Sequence, residues 1–333
     1  MEPTLARSVR ADADGVHILD RRRFPFERVW VRCATAAEVA KAIADMVTQS
    51  SGPYFAALQA MVLSARAAAE LPDPHAALSA DAALLIAARP TNDHLAKAVA
   101  FVLDATAGLR GDDLVAAAER GAEAGDTAYR LRSRALGEHT AALLADGQRV
   151  LTHCWADLYL TETVAAARRA GKTLAFVCTE TRPYLQGARL TAETLAEMGV
   201  DTTLITDGMG ASVLAGRQVD VLLTAADRVA MDGSVVNKVG TLGLAVSAHA
   251  FGVPYLAQVQ TPDRGAATGA DIPIEHRDGD DVLHTLGART ASTRVRGHYP
   301  AFDVTPPRFV TTVVTDRGPF APEALTRYWE GRE

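Results

Sequence analysis

Only three cysteines, Cys33, Cys154 and Cys178, are scattered over 333 residues. That is too few for a disulfide framework or a zinc site, so each is read alone, as core filler or as a reactive thiol. No apolar run is long enough to span a bilayer, and the opening MEPTLARSVRADADG lacks the apolar core of a signal peptide. No membrane partner and a cytoplasmic location are therefore expected. Positive charge is not in excess: 34 Lys and Arg against 40 Asp and Glu leave a net charge of -6, which argues against a nucleic-acid partner. The run Arg21, Arg22, Arg23 reads as a solvated charged face. There is no GxGxxG, no P-loop and no HExxH, so nothing supports dinucleotide binding, nucleotide hydrolysis or zinc proteolysis, and no cofactor or metal is expected.

What is present is a globular composition, 48% hydrophobic and 22% charged, long enough for two domains. Residues 18–33 read as short extended pieces, with Val29, Val31 and Cys33 alternating against Trp30 and Arg32. Thr35 and Glu38 form a capping-box pattern ahead of an apolar face at Val39, Ile43, Met46 and Val47. Ser50, Ser51, Gly52, Pro53 reads as a turn before a helix from Tyr54 to Glu70, and Arg89, Pro90, Thr91 opens another running to about Asp104. The spacing predicts a mainly helical N-terminal domain over 1–120, a bridging helix at about 112–145, and a second domain over 121–333.

The rhythm then changes. Arg149–His153, Thr173–Cys178, Thr202–Thr206, Val219–Ala225, Pro254–Val259 and Phe309–Val314 are apolar runs of strand length. Helical patterns at Asp157–Ala170, Tyr184–Met198, Met209–Gly216 and Val236–Phe251 separate the first five. Alternation of this kind implies an α/β fold with a Rossmann-like parallel sheet covered on both faces. The interval 260–308 is long, polar and rich in Asp, Gly and Pro, and reads as a functional or oligomer-forming excursion.

A parallel sheet delivers the C-terminal end of every strand to one edge. Here that edge collects Cys154, Glu180, Asp207 and Asp227. A thiol beside a carboxylate can divide proton handling between an acid and a base, if the environment separates their pKa values. Asp207, followed by Gly208, reads as a turn or cap. Asp227 is evenly balanced between a catalyst and a cap or partner of Arg228. Gln186, with Gly187, Ala188 and Arg189, reads as one helix opening, and Asn237 with Lys238 as another. Helix N-termini with nearby cations suit an anionic ligand.

These residues resemble the methylthioribose-1-phosphate isomerases, which share a fold with ribose-1,5-bisphosphate isomerases and the regulatory subunits of eukaryotic initiation factor 2B. The resemblance rests on VRCATAAEVAKAIADMV, ARPTNDHL, GEHTAALLADGQRVLTHC, TETRPYLQGARLTAETL, TLITDGMGAS, AADRVAMDGSVVNKVGTLGLAVSAHAFGVPY, DIPIEHRDGDDVLHTLGAR and PAFDVTPPRFVTTVVTDRG, in the family's order from about residue 18 to 318. It implies that Cys154, in Thr152-His153-Cys154, and Asp227, in Ala225-Ala226-Asp227-Arg228, are the catalytic pair. It also implies that Arg89, Gln186, Asn237 and Lys238 contact a sugar or sugar-phosphate ligand, and that the protein is a homodimer.

Two departures stand out. Where the isomerases carry an RGAPAIG-like turn that grips the sugar phosphate, this chain reads Ser50, Ser51, Gly52, Pro53, Tyr54, Phe55, and the arginine is absent. Where they follow the cysteine with Asn-Thr-Gly, it has Trp155, Ala156, Asp157. Losing a bidentate cation removes about 1.5–3 kcal/mol of charged hydrogen bonding. Ser51, Gly52 and Trp155 are therefore expected at the ligand, with an altered substrate. The expected function is an aldose–ketose isomerase acting on methylthioribose 1-phosphate or a related 5-substituted pentose, through a pocket between the domains. The alternative is a non-catalytic regulatory or ligand-sensing protein on the same fold.

Overall fold

The computed structural model describes residues 2–89 and 94–331. Two compact units divide it, Pro3–Leu131 and the chain from Arg132 onward.

In the first unit, β1 (Val9–Asp12), β2 (Gly15–Leu19) and β3 (Trp30–Cys33) form an antiparallel sheet in that order. Gly15 has φ +139°, and a Cβ there would sit 2.4 Å from the Cys33 carbonyl oxygen, so only glycine fits. The helices are α1 (Ala36–Ala44), α2 (Gly52–Ala68), α3 (Pro74–Ala87), α4 (His94–Thr106) and the first part of α5 (Gly111–Leu143). Thr35 caps α1 as expected, its hydroxyl accepting the Glu38 N–H at 3.2 Å, while the Glu38 carboxylate reaches back to the Ala34 N–H. The predicted helix opening at Pro90 and Thr91 lies outside the described residues.

Two expectations in this unit are corrected. The helix expected from Tyr54 begins at Gly52, with Pro53 in its first turn and Ser51 at the N-cap, because proline fixes a φ already suited to that position. The arginine run is not one solvated face: Arg21 is 1% exposed. Its guanidinium donates to the Gln49 carbonyl at 2.6 Å and the Ser8 hydroxyl at 2.8 Å. A Cβ on Gly52 would lie 3.1 Å from it. Arg22 and Arg23 do stay near solvent, paired with Asp20 and Glu27.

The second unit is built on a seven-stranded sheet. Its strands are β4 (Arg149–Thr152), β5 (Ala175–Thr179), β6 (Asp201–Ile205), β7 (Val221–Ala225), β10 (Tyr255–Gln258), β16 (Thr312–Thr315) and β17 (Gly318–Phe320), in the order β17-β16-β10-β7-β4-β5-β6. All neighbours are parallel except β16 and β17. The six strand-length apolar runs all fall in this sheet because its central strands are buried on both faces. The connecting helices include α6 (Leu158–Arg169), α7 (Ala192–Glu197), α8 (Gly210–Ala215) and α9 (Thr241–Ala250). Leu151, Leu222, Leu244 and Ala257 share one hydrophobic core cluster.

A second, three-stranded sheet pairs β8 (Arg228–Val229), β9 (Val235–Lys238) and β15 (Phe302–Thr305), with β9 central and all pairs antiparallel. Here the reading of Val236–Phe251 as one helix is corrected: Val235–Lys238 is a strand, and α9 starts only at Thr241. Gly240, at φ +108°, breaks the strand and begins the helix. The excursion 260–308 supplies β11 (His276–Arg277) paired with β14 (Tyr299–Pro300), the hairpin of β12 (His284–Thr285) and β13 (Ala288–Arg289), and β15.

Candidate active site

The sheet order runs outward from its middle: β4 leads to β5 and β6 on one side, and β7 leads to β10 and β16 on the other. The crevice beyond the carboxyl ends of β4 and β7 is thus a topological switch point, where open α/β sheets bind ligands. Cys154 follows β4 and Asp227 follows β7.

Cys154 has φ +64°, a left-handed backbone that non-glycine residues seldom adopt. Its N–H donates to the Thr181 hydroxyl at 3.0 Å, and its carbonyl accepts from the Thr191 hydroxyl. Thr181, also left-handed at φ +61°, is held by Asp207, whose carboxylate accepts the Thr181 and Arg182 N–H groups at 2.7 Å each. Asp207 is therefore a clamp on the turn after β5, and Thr181 passes that constraint to Cys154. Sequence reasoning missed Thr181; its place one residue beyond Glu180, at the same sheet edge, was the available signal.

His153 is buried between two partners. Its Nε2 donates to the Val239 carbonyl at 2.9 Å, which leaves Nδ1 to accept from the Thr179 hydroxyl at 2.6 Å. Burial lowers its pKa, and the nearby Lys238 ammonium adds to that, against the opposing pull of the Val239 carbonyl and Asp207. The ring is neutral and structural.

The Cys154 thiol is pushed up to about 11, first by burial. Lys238 draws it down, Asp227 raises it, and the Trp155 N–H and Arg277 draw it down. At neutral pH it is a thiol, suited to donate a proton, and the charges of Lys238 and Arg277 favour its thiolate form. The Asp227 carboxylate lies within electrostatic reach of it and is exposed. Arg228, the competing partner considered for Asp227, pairs with Asp263, its Nε donating at 2.6 Å.

Asn237 and Lys238 do not open a helix; they sit on β9, four and three residues before α9. Lys238 is 4% exposed, and its Nζ lies 4.3 Å from the centre of the Phe302 ring. The Arg277 guanidinium is 5.9 Å from the same ring and pairs with Glu275 at 2.6 Å. Arg277 went unnoticed in the sequence because nothing marks it out among the charges of the excursion. Asn237 donates to the Thr241 hydroxyl at 3.0 Å, which in turn donates to the Lys238 carbonyl. Gln186 is buried at the start of the wide turn Gly187–Thr191 that leads into α7. A Cβ on Gly187 would lie 1.8 Å from the Thr179 carbonyl oxygen, so this turn packs directly on the end of β5.

Trp155 is 5% exposed, and its indole N–H has no hydrogen-bond partner among the described residues. Burial and the neighbouring Asp207 raise the Glu180 carboxyl. Arg89, Ser51 and Gly52 belong to the first unit, at the end of α3 and the start of α2. Among the described residues no cluster of His, Cys, Asp and Glu could hold a metal ion, and no helix is long and apolar enough to cross a membrane.

The model of the initiation factor 2 subunit family matches residues 33–322. The chain belongs to that family. Within it, the chain is 40% identical over 315 residues to a methylthioribose-1-phosphate isomerase of Anaeromyxobacter dehalogenans, covering 92% of this chain and 90% of that protein. It is 38% identical over 341 residues to one of Chloroflexus aurantiacus, covering 96% of each. The structure of 5-methylthioribose 1-phosphate isomerase from Pyrococcus horikoshii superimposes with a TM-score of 0.84 at 28% identity, over 98% of this chain and 96% of that one. The subunit delta of translation initiation factor eIF-2B from A. fulgidus gives 0.83 at 32% identity, over 95% and 96%.

Proposed function

We propose that this member of the family is an aldose–ketose isomerase acting on 5-methylthioribose 1-phosphate or a closely related 5-substituted pentose, with Cys154 and Asp227 as its catalytic pair. The observation that carries the reading is the protonated Cys154 thiol, held on a left-handed strand end at the switch point within electrostatic reach of Asp227. The identity to isomerases over nearly the whole chain supports it.

The reaction moves one hydrogen from C2 to C1 and, in net terms, one proton from the C2 hydroxyl to the ring oxygen. Cys154 gives its proton to the ring oxygen as the ring opens at C1. Asp227 takes the proton of the C2 hydroxyl as C2 becomes the carbonyl. The C2 hydrogen passes to C1, as hydride or by way of an enediol. Return of the proton from Asp227 to the thiolate closes the cycle. A thiol near 11 is a weak acid even with Lys238 and Arg277 drawing it down, and without those two charges it would be weaker still.

Lys238, Asn237 and Gln186 are assigned to the substrate, and Arg89, Ser51 and Gly52 join them on the family resemblance alone. The turn Ser50–Phe55 without its arginine, and Trp155 next to the thiol, support a shifted substrate preference. A cytoplasmic homodimer completes the reading. The test follows ketose formation from 5-methylthioribose 1-phosphate and from 5-methylthioribose, in parallel. Turnover of either supports an isomerase, ordinary efficiency on the 1-phosphate removes the shifted preference, and turnover of neither leaves the non-catalytic reading, which the likeness to the eIF-2B delta subunit favours.

A further inference from the structure

Asp303 lies on β15 directly opposite Asn237 on β9. Its carboxylate accepts the Gly240 N–H at 2.7 Å and the Leu242 N–H at 3.2 Å. These donors bracket the left-handed Gly240 and the start of α9. The same turn is also contacted by His153: a Cβ on Gly240 would lie 3.0 Å from the His153 ring, and His153 holds the Val239 carbonyl. The two residues after Lys238 are therefore held both by the strand end that carries Cys154 and by β15.

A serine, threonine or asparagine would satisfy a helix N-terminus as well as an aspartate does. A partly buried carboxylate is the costlier choice, because burial opposes its charge. What it adds beyond a neutral cap is a counter-charge beside the Lys238 ammonium, which favours its ionised form. The titratable groups around it are Lys238 on β9, Tyr255 on β10 and His153 across Gly240, while α9 presents backbone N–H groups and carries His249 at its far end.

We propose that Asp303 is a positioning residue of the isomerase site, whose carboxylate locks the Val239–Gly240 turn and counters the Lys238 charge, so that Asn237 and Lys238 are held ready for the substrate. This rests on the isomerase reading for its consequence, but the Asp303–Lys238 coupling stands on the protein alone.

Burial raises Asp303 from 3.8 to about 6. A folded pKa above the unfolded one means that ionisation disfavours the folded state. That penalty grows as pH rises from about 4 to about 6 and is constant above. Asp303→Asn keeps an acceptor and removes the charge. Its melting temperature is expected to match or exceed that of the wild type at pH 8, with the advantage shrinking towards pH 4. In a Lys238→Met background, where the carboxylate has lost its counter-charge, the gain from Asp303→Asn is expected to be larger, so the double-mutant cycle is non-additive. With 5-methylthioribose 1-phosphate, Asp303→Asn is expected to raise KM about tenfold, as for loss of one charge-assisted contact, with a smaller change in kcat. An additive cycle overturns the proposal, as does an Asp303→Asn protein that melts lower at pH 8 with KM unchanged, which marks a plain helix cap. A non-additive cycle together with a wild type that turns over no substrate removes the isomerase reading and leaves the clamp standing.

Discussion

The Cys154 N–H donates to the hydroxyl of Thr181 at 3.0 Å, joining the end of β4 to the turn after β5. Through Asp207, which holds the Thr181 N–H, three successive strand ends converge on the geometry of one thiol. A left-handed non-glycine backbone persists only where its surroundings over-determine it.

Thr181→Val removes that acceptor while keeping the side-chain volume. Leaving the Cys154 N–H unsatisfied costs about 1–3 kcal/mol. We expect kcat to fall roughly tenfold to a hundredfold, if that energy is expressed as loss of Cys154 geometry in the transition state, with KM little changed. Steady-state kinetics on 5-methylthioribose 1-phosphate check this, and an unchanged kcat would remove Thr181 from the chain of support.

His153 sets a pH dependence of stability. Burial lowers its folded pKa below the ordinary histidine value of 6.5. As pH falls through 6.5 the unfolded chain takes up a proton that the folded ring refuses, so stability contributed by neutral His153 is lost on acidification. The stability difference between wild type and His153→Asn, from denaturant midpoints, should narrow between pH 7.5 and pH 5. Asp303, which acts in the opposite sense, cancels in that difference. A gap that is flat with pH contradicts the neutral, buried ring.

Trp155 carries a buried indole N–H without a partner among the described residues. An unsatisfied buried donor is destabilising by about 1–3 kcal/mol. Trp155→Phe keeps the apolar ring and deletes the donor. We expect a melting temperature equal to or above that of the wild type, together with a several-fold rise in KM if the indole donates to the substrate. A loss of stability with unchanged KM would make Trp155 a packing residue only.

Much of the second unit was legible in the sequence because its central strands are buried on both faces. VLLTA in β7 and YLAQ in β10 stand out as short apolar runs between turn signals. Once the strands were placed, a parallel sheet sorted Cys154, Glu180, Asp207 and Asp227 to one edge without further information. Strand β9 was not legible. Its Val235–Lys238 runs through one residue and a glycine into the apolar TLGLAVSAHA, and only the left-handed Gly240 separates the two periods. Three consecutive arginines look alike in a sequence, yet Arg21 is turned inward onto Gln49 and Ser8 while its neighbours pair near the surface. Arg277 and Asp303 reach the site only through pairings with distant strands, β14 and β9, which no local pattern encodes.

The most direct measurement is the turnover of 5-methylthioribose 1-phosphate to its ketose by wild type and by Cys154→Ser, followed by NMR at pH 7.5. Serine keeps the hydrogen-bonded backbone but is a far weaker acid, so kcat is expected to fall by roughly 10²–10⁴-fold with the fold intact. A Cys154→Ser protein that keeps wild-type kcat would contradict the assignment of the thiol as the proton donor of this site.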